Sequence, residues 1–221
     1  MERLEDLNLL NLKIYQDDAL YKFTSDSVIL SRFAHCKKGD KVADFCAGSG
    51  IVGLHLYGLN YKIIDSVTLF EMQKPLYEMS KKTISYNSLE NIFSAVNVKV
   101  QDIGKEYNEK FSLIVCNPPY MNLSGGERNE KEEIAMCKSE IYLPLDDLVK
   151  SVSRCLKFGG RISMCHRADR LAEVIFAFKK YNLEPKRLQT VSAKNKEPYI
   201  ILIEGVKGGK SGIKIEKNLE N

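Results

Sequence analysis

An α/β fold, with a mainly parallel sheet covered by helices on both faces, is what this sequence predicts. Three observations carry that expectation. Short apolar runs alternate with segments of helical periodicity from residue 41 to residue 204, the pattern of successive β-α-β units. A glycine-rich turn, Gly48-Ser49-Gly50, joins the first such run to the first such helix. No internal repeat or interdomain linker interrupts the 221 residues, a length that suits one large domain.

The elements follow in order. Residues 1–40 read as an extended arm and then a helix through Val28, Ile29, Leu30 and Phe33, with Ser25 or Asp26 as its cap. Lys41–Cys46 is a short apolar strand, and Ile51–Leu59 continues at helical spacing. Ser66–Glu71 is a second strand, followed by an amphipathic helix over Gln73–Tyr86 with Leu76, Met79 and Ile84 on its apolar face. Ala95–Val100 and Phe111–Cys116 read as strands three and four. Leu145–Leu156 is helical, and Gly159-Gly160 reads as its stop signal. Arg161–Cys165 is strand five and Ala168–Tyr181 a helix; Leu188–Val191 and Tyr199–Glu204 close the series as two late strands. Residues 41–206 thus form the core domain and 207–221 a basic tail whose last dozen residues are expected to be loose. Met121–Glu140, polar and containing Gly125-Gly126, is the one long loop.

Composition narrows the class. A hydrophobic fraction of 44% and a charged fraction of 28% suit a soluble globular protein. No apolar run approaches a membrane span, and Met1-Glu2-Arg3-Leu4-Glu5-Asp6 is too acidic for a secretory signal, so a cytoplasmic protein is expected. The six cysteines include no C-x-x-C pair, and the three histidines add only the neighbours His35-Cys36 and Cys165-His166. Reduced thiols and no metal site follow. The net charge of +4 is unevenly distributed: residues 179–221 hold ten Lys or Arg against five Glu, so the whole positive excess lies there. That suits either a polyanion partner or a solvated lysine-rich face.

Asp44-Phe45-Cys46-Ala47-Gly48-Ser49-Gly50-Ile51-Val52-Gly53 ends the first core strand and opens a helix. Gly48, Gly50 and Gly53 fit G-x-G-x-x-G, and Glu71 stands at the tip of the next strand, 21 residues beyond Gly50. In this layout the glycines permit close approach of a ligand and the acid meets ribose hydroxyls. Asp102 follows the third strand as Glu71 follows the second, so one ligand can meet both. Dinucleotides and S-adenosylmethionine both use such turns. Asp44 helps separate them and favours S-adenosylmethionine, because a carboxylate there would repel a pyrophosphate and attract the amino group of S-adenosylmethionine.

Asn117-Pro118-Pro119-Tyr120 follows the fourth strand. Proline fixes its own backbone and pushes the preceding residue toward extended conformations, so the segment is a stiff corner carrying an amide and an aromatic ring. Together with the glycine turn and its acids, it resembles the class I amino-methyltransferases that act on planar nitrogens. Phe23–Val28, Cys165–Leu171 and Glu204–Lys210 are further similar to the bacterial tRNA(Val) adenine methyltransferase family. The resemblance covers nearly the whole chain. It implies a Rossmann-like, mainly parallel seven-stranded sheet and S-adenosylmethionine as cofactor. It also implies contacts to that cofactor from Asp26, Asp44, Ala47, Gly48 and Gly50, from Glu71 and Met72, from Asp102 and Ile103, and from Asn117.

The chemistry implied is methylation of an adenine exocyclic nitrogen, with the anticodon stem-loop of a tRNA as partner and adenine 37 of tRNA(Val) as target. No obligate protein partner is expected. The Asn117 oxygen and the Pro118 carbonyl would accept from the amino hydrogens, favouring a more tetrahedral nitrogen in the transition state. Tyr120 would stack on the base, and Pro118 and Pro119 would keep the acceptors from drifting. RNA contacts are expected at Arg128 in the long loop, at His166 and Arg167 beyond strand five, and at Lys186, Arg187, Lys207, Lys210 and Lys214. For each of these a salt bridge or a solvated charge is the competing reading. A release-factor glutamine methyltransferase and a ribosomal RNA guanine methyltransferase are the alternatives of like chemistry. A dinucleotide-dependent oxidoreductase would leave Asn117–Tyr120 unexplained, and a non-catalytic RNA-binding module is favoured only if cofactor binding fails.

Overall fold

The computed structural model describes residues 1–20, 24–119 and 143–221. The amino-terminal arm is not merely extended: β1 (Glu2–Asp6) and β2 (Lys13–Asp17) pair antiparallel as a hairpin. The hairpin is fastened to the body by Asn87, whose Oδ1 accepts from the Lys13 N–H at 2.9 Å while its Nδ2 donates to the Lys13 carbonyl at 2.7 Å. Helix α1 (Ser25–Phe33) follows, with Thr24 rather than Ser25 or Asp26 in the N-cap position and no side-chain cap bond there.

Next come β3 (Asp40–Phe45), α2 (Ile51–Asn60), β4 (Ile64–Glu71), α3 (Lys74–Tyr86), β5 (Phe93–Asn97) and β6 (Phe111–Cys116). After the undescribed segment come α4 (Leu145–Cys155), β7 (Leu156–Arg167), α5 (Leu171–Lys180), β8 (Leu183–Ser192) and β9 (Pro198–Lys207). Seven strands lie in the order β5-β4-β3-β6-β7-β9-β8. All are parallel except β9, which runs antiparallel to both its neighbours.

Three expectations need correction. The third core strand is Phe93–Asn97, and Val100–Asp102 is a short 3-10 turn, so Asp102 is exposed beyond the strand rather than at its tip. Gly159-Gly160 does not end α4; it lies inside β7, where the pairing with β6 shifts register. The tail is not loose: β10 (Lys214–Ile215) and β11 (Leu219–Glu220) pair parallel with β8 and cover its outer edge. An uncovered edge strand offers unpaired N–H and C=O groups to other chains, so this pairing removes a liability.

Alternation along the strands explains the two-sided core. In β6, Leu113 and Val115 join Leu30, Leu54 and Leu56 of α1 and α2, while Ile114 and Cys116 join Leu148 and Val152 of α4 and Phe178 of α5. A strand buried on both faces reads as one apolar run, as Phe111–Cys116 does. At the amino ends of the strands a polar cluster is sealed inside. Asp40 of β3 accepts from Arg161 of β7, from Ser112 Oγ at 2.7 Å and from the Lys37 N–H at 2.7 Å. The Arg161 and Asp40 side chains are 7% and 5% exposed. Removing one partner of such a pair strands the other as a buried charge. Arg161→Met is therefore expected to destabilise the fold by about 3–5 kcal/mol. Urea unfolding at neutral pH measures this, and an unchanged midpoint would refute it.

Candidate active site

The parallel strands deliver their carboxyl ends to one edge of the sheet, and the conserved logic of such folds is that ligands bind beyond that edge. β3 leaves the sheet through Cys46, which adopts a left-handed φ of 60°, and Gly48 and Gly50 follow at φ 58° and 92°. A Cβ on Gly50 would come within 2.9 Å of Leu69 Cδ1, and one on Gly53 within 2.8 Å of Leu69 Cδ2. Glycine at both positions lets α2 begin directly against β4.

Two buried carboxylates frame this turn. Asp44 Oδ2 accepts from the Gly53 N–H at 2.8 Å, whereas its Oδ1 is buried without a hydrogen-bond partner. Burial pushes its pKa up to about 7, against the pull of the Gly53 N–H, and nearby Glu71 pushes the same way. Glu71 accepts from the Gly48 N–H through Oε2 and from the Gln73 N–H through Oε1, both at 2.8 Å. Its pKa is also raised by burial, and the backbone N–H groups partly offset that. Neither acid forms an ion pair with a described residue. A carboxylate uses up to about four acceptor positions, so each retains capacity. Buried carboxylates without cations are costly, and this pair is suited to a ligand bringing a cationic amino group and hydroxyls.

Asn117 stands where β6 ends, two strands from Glu71 across β3. Its amide is fixed from both sides: Nδ2 donates to Ser27 Oγ of α1 at 2.9 Å, and Oδ1 accepts from Cys165 Sγ of β7 at 2.7 Å. Burial, with Asp26 adding to it, raises the Cys165 pKa well above that of an ordinary thiol. Cys165 therefore keeps its proton and can donate it to the Asn117 oxygen. The sp² oxygen of Asn117 has a second lone pair for a further donor. Pro118 is buried and Pro119 half-buried behind it.

Several sequence candidates gather at this edge. Ala47 is buried beneath the turn, with its N–H on the Phe70 carbonyl at 3.1 Å. Met72 follows Glu71 half-buried, Ile103 is buried, and Asp102 is exposed beside it. Asp26, mostly buried, accepts from the Tyr199 hydroxyl at 3.4 Å. Tyr120 and Arg128 lie outside the described residues.

The expected RNA contacts fare differently. His166 is 1% exposed inside β7, so it is withdrawn as a phosphate contact. Arg167 is held by Asp169, with Nε to Oδ1 at 3.0 Å. Arg187 stacks over Phe33 at 4.4 Å and bridges Glu204 at 3.2 Å and Glu216 at 3.1 Å, a structural clamp rather than a free cation. Lys207 donates to the Leu156 carbonyl at 2.8 Å and meets Glu109 at 3.2 Å, at the amino end of β7 and far along the strand from Asn117. Lys186 caps the Lys210 carbonyl at 3.0 Å, and Lys214 meets Glu216 at 3.4 Å. Lys210 is exposed just beyond β9, on that same amino side.

Sequence reading missed Ser27 and Cys165 as partners of Asn117. It also missed Gln16, whose buried amide donates to Ser49 Oγ at 2.6 Å and so ties the hairpin to the glycine turn. Nothing local marks these pairs, whose members lie 33 to 90 residues apart.

The profile of the family described as "Methyltransferase small domain" matches residues 23–175. The chain is similar to the tRNA1(Val) (adenine(37)-N6)-methyltransferase of Photobacterium profundum, 24% identical over 79% of this chain and 72% of that one. Among solved structures it resembles a predicted O-methyltransferase of Agrobacterium tumefaciens, with TM-score 0.69 and 17% identity over 88% of this chain and 86% of that one. It also resembles TYW2 of Pyrococcus horikoshii in complex with MeSAdo, with TM-score 0.66 and 16% identity over 94% of this chain and 72% of that one.

Proposed function

Because this chain belongs to the methyltransferase small domain family, we propose that it methylates the exocyclic amino group of an adenine in tRNA, at position 37 beside the anticodon of tRNA(Val). S-adenosylmethionine is the methyl donor and supplies, when bound, an electrophilic methyl group on a sulfonium sulfur. The observation that carries the reading is the doubly fixed Asn117 amide at the end of β6, on the same sheet edge as Asp44 and Glu71. The relative's name supports the choice of base and RNA.

In this reading Asp44 Oδ1 faces the amino group of the cofactor and Glu71 takes its ribose hydroxyls. Gly48 and Gly50 allow the backbone to approach closely, while Ala47, Met72, Asp102, Ile103 and Asp26 border the same cleft. Asn117 Oδ1 and the Pro118 carbonyl accept from the adenine amino group. An amino nitrogen conjugated with its ring is a poor nucleophile. Acceptors that favour its pyramidal form act chiefly on the transition state. Ser27 and Cys165 keep the amide from turning, so little reorganisation is needed at the moment of transfer. Tyr120, outside the described residues, is assigned the stacking contact with the base. An anticodon-loop base is only partly stacked, so extruding it costs less than opening a duplex.

Transfer of tritiated methyl groups into total tRNA and total protein, followed by nucleoside analysis, tests this directly. Label in N6-methyladenosine of tRNA is expected. Label in protein glutamine or in guanine would replace the proposal with one of the alternative acceptors. For the cofactor, Glu71→Ala is expected to weaken S-adenosylmethionine binding by about 1.5–3 kcal/mol, the range for charge-assisted hydrogen bonds. Calorimetry giving unchanged affinity would remove Glu71 from the ribose.

A further inference from the structure

The direction of β9 decides which cations share an edge with the catalytic corner. β8 runs parallel to the core strands and ends at Ser192, and β9 returns antiparallel from Pro198. The connecting turn, Ala193–Glu197, therefore lies at the carboxyl edge of the sheet with Asn117. Lys207 and Lys210, at the other end of β9, lie at the amino edge. The turn carries Lys194 and Lys196, both exposed, and neither side chain forms a hydrogen bond or ion pair with a described residue. Glu197 is the one acid in the turn.

Tyr199, the second residue of β9, lies just beyond this turn and is 41% exposed. Its hydroxyl donates to Asp26 Oδ1 at 3.4 Å and accepts from Asn221 Nδ2 at 3.0 Å. The next residue of α1 is Ser27, which takes the Asn117 amide at 2.9 Å. The hydroxyl is thus hydrogen-bonded to the residue beside Ser27, while Tyr199 as a whole remains exposed to solvent.

We propose that the β8–β9 turn is an RNA-binding element: Lys194 and Lys196 contact backbone phosphates of a single-stranded loop, and Tyr199 stacks on an unpaired base next to the one being methylated. This rests on the tRNA reading above and assigns the contacts to residues at the catalytic edge, in place of the tail lysines at the amino edge. Single-stranded RNA is recognised by just this pairing of phosphate-directed cations with an aromatic platform.

The test measures affinity for an unmodified tRNA(Val) transcript across a salt series, with calorimetry of S-adenosylmethionine on the same proteins. Lys194→Ala/Lys196→Ala is expected to lower the log–log salt slope by roughly 1.4–1.8, at roughly 0.7–0.9 per phosphate contact. Tyr199→Ala is expected to weaken RNA binding about 5- to 150-fold, the span for loss of one stacked base, while Tyr199→Phe stays near wild type. Lys62→Ala/Lys157→Ala removes equal charge at the amino ends of β4 and β7 and is expected to leave the slope unchanged. Cofactor affinity is expected to hold in every variant. Parallel slopes for wild type and Lys194→Ala/Lys196→Ala, with the wild type still methylating tRNA, would overturn the assignment of the turn. Tyr199→Phe as weak as Tyr199→Ala would overturn the stacking role. A wild type that neither binds nor methylates tRNA would overturn both this inference and the function on which it rests.

Discussion

Asn117→Ala is expected to cut the rate of methyl transfer by about 100-fold or more while S-adenosylmethionine affinity stays near wild type. The magnitude is that of removing one preorganised acceptor or donor that acts on developing charge. The expected separation of rate from cofactor affinity follows from geometry, because the Asn117 amide is held by Ser27 and Cys165 while the glycine turn proposed to take the cofactor is framed by Asp44 and Glu71. Single-turnover assays at saturating cofactor read the chemical step directly. Ser27→Ala supplies a second measurement: it leaves the acceptor oxygen but frees the amide to turn, so a smaller loss in kcat is expected than for Asn117→Ala. Turnover of Asn117→Ala within a few-fold of wild type would remove the residue from the transition state.

The second large effect is expected at Asp44. If Asp44 faces the cofactor's amino group as proposed, Asp44→Asn is expected to cost about 2–5 kcal/mol of binding, as truncation of one member of a buried charge pair does. The ligand-free protein should respond in the opposite sense. The folded pKa of Asp44 is raised from 3.8 to about 7 by burial. Between those values the folded chain holds a proton that the unfolded chain has released. The stability from this group is fully present below the unfolded pKa and is lost as pH rises through about 7. Thermal unfolding of ligand-free wild type should therefore lose stability relative to Asp44→Asn as pH rises from 4 toward 7. In the proposed pairing the cofactor's cation meets the ionised carboxylate, so its affinity should rise roughly tenfold from pH 5.5 to 7, with release of a proton. Calorimetry in two buffers of different ionisation enthalpy detects that proton. Affinity independent of pH over this window would mean that Asp44 does not meet a cation.

The division between what was legible and what was not follows the range of the interactions involved. β3, α2, β4, α3 and β6 declare themselves through apolar periodicity and glycine punctuation, which are local. β5 was displaced by a few residues because Ala95–Val100 is as apolar as Phe93–Asn97, and only pairing with Val67–Glu71 selects the latter. Gly159-Gly160 looks like a helix stop in isolation, yet α4 has already ended at Cys155 and the glycines fall where β7 changes register against β6. The tail appeared loose because two-residue strands have no signal of their own; the open edge of β8 creates them.

At the site the same rule applies. The glycine turn, Asp44 and Glu71 around it, and the stiff Asn117-Pro118-Pro119 corner are legible without any fold, because each is a short motif whose chemistry depends on near neighbours and strand-end position. Long-range packing alone brings Ser27 and Cys165 to the Asn117 amide, Gln16 to Ser49, Arg187 to Glu204 and Lys207 to the Leu156 carbonyl. It also brings Lys194, Lys196 and Tyr199 to the carboxyl edge of the sheet beside Asn117 while Lys207 and Lys210 are carried to the amino edge. The physical reason is that one strand, β9, runs against all the others. A reversed strand exchanges which of its ends meets the ligand, and nothing in the local composition of a strand records its direction.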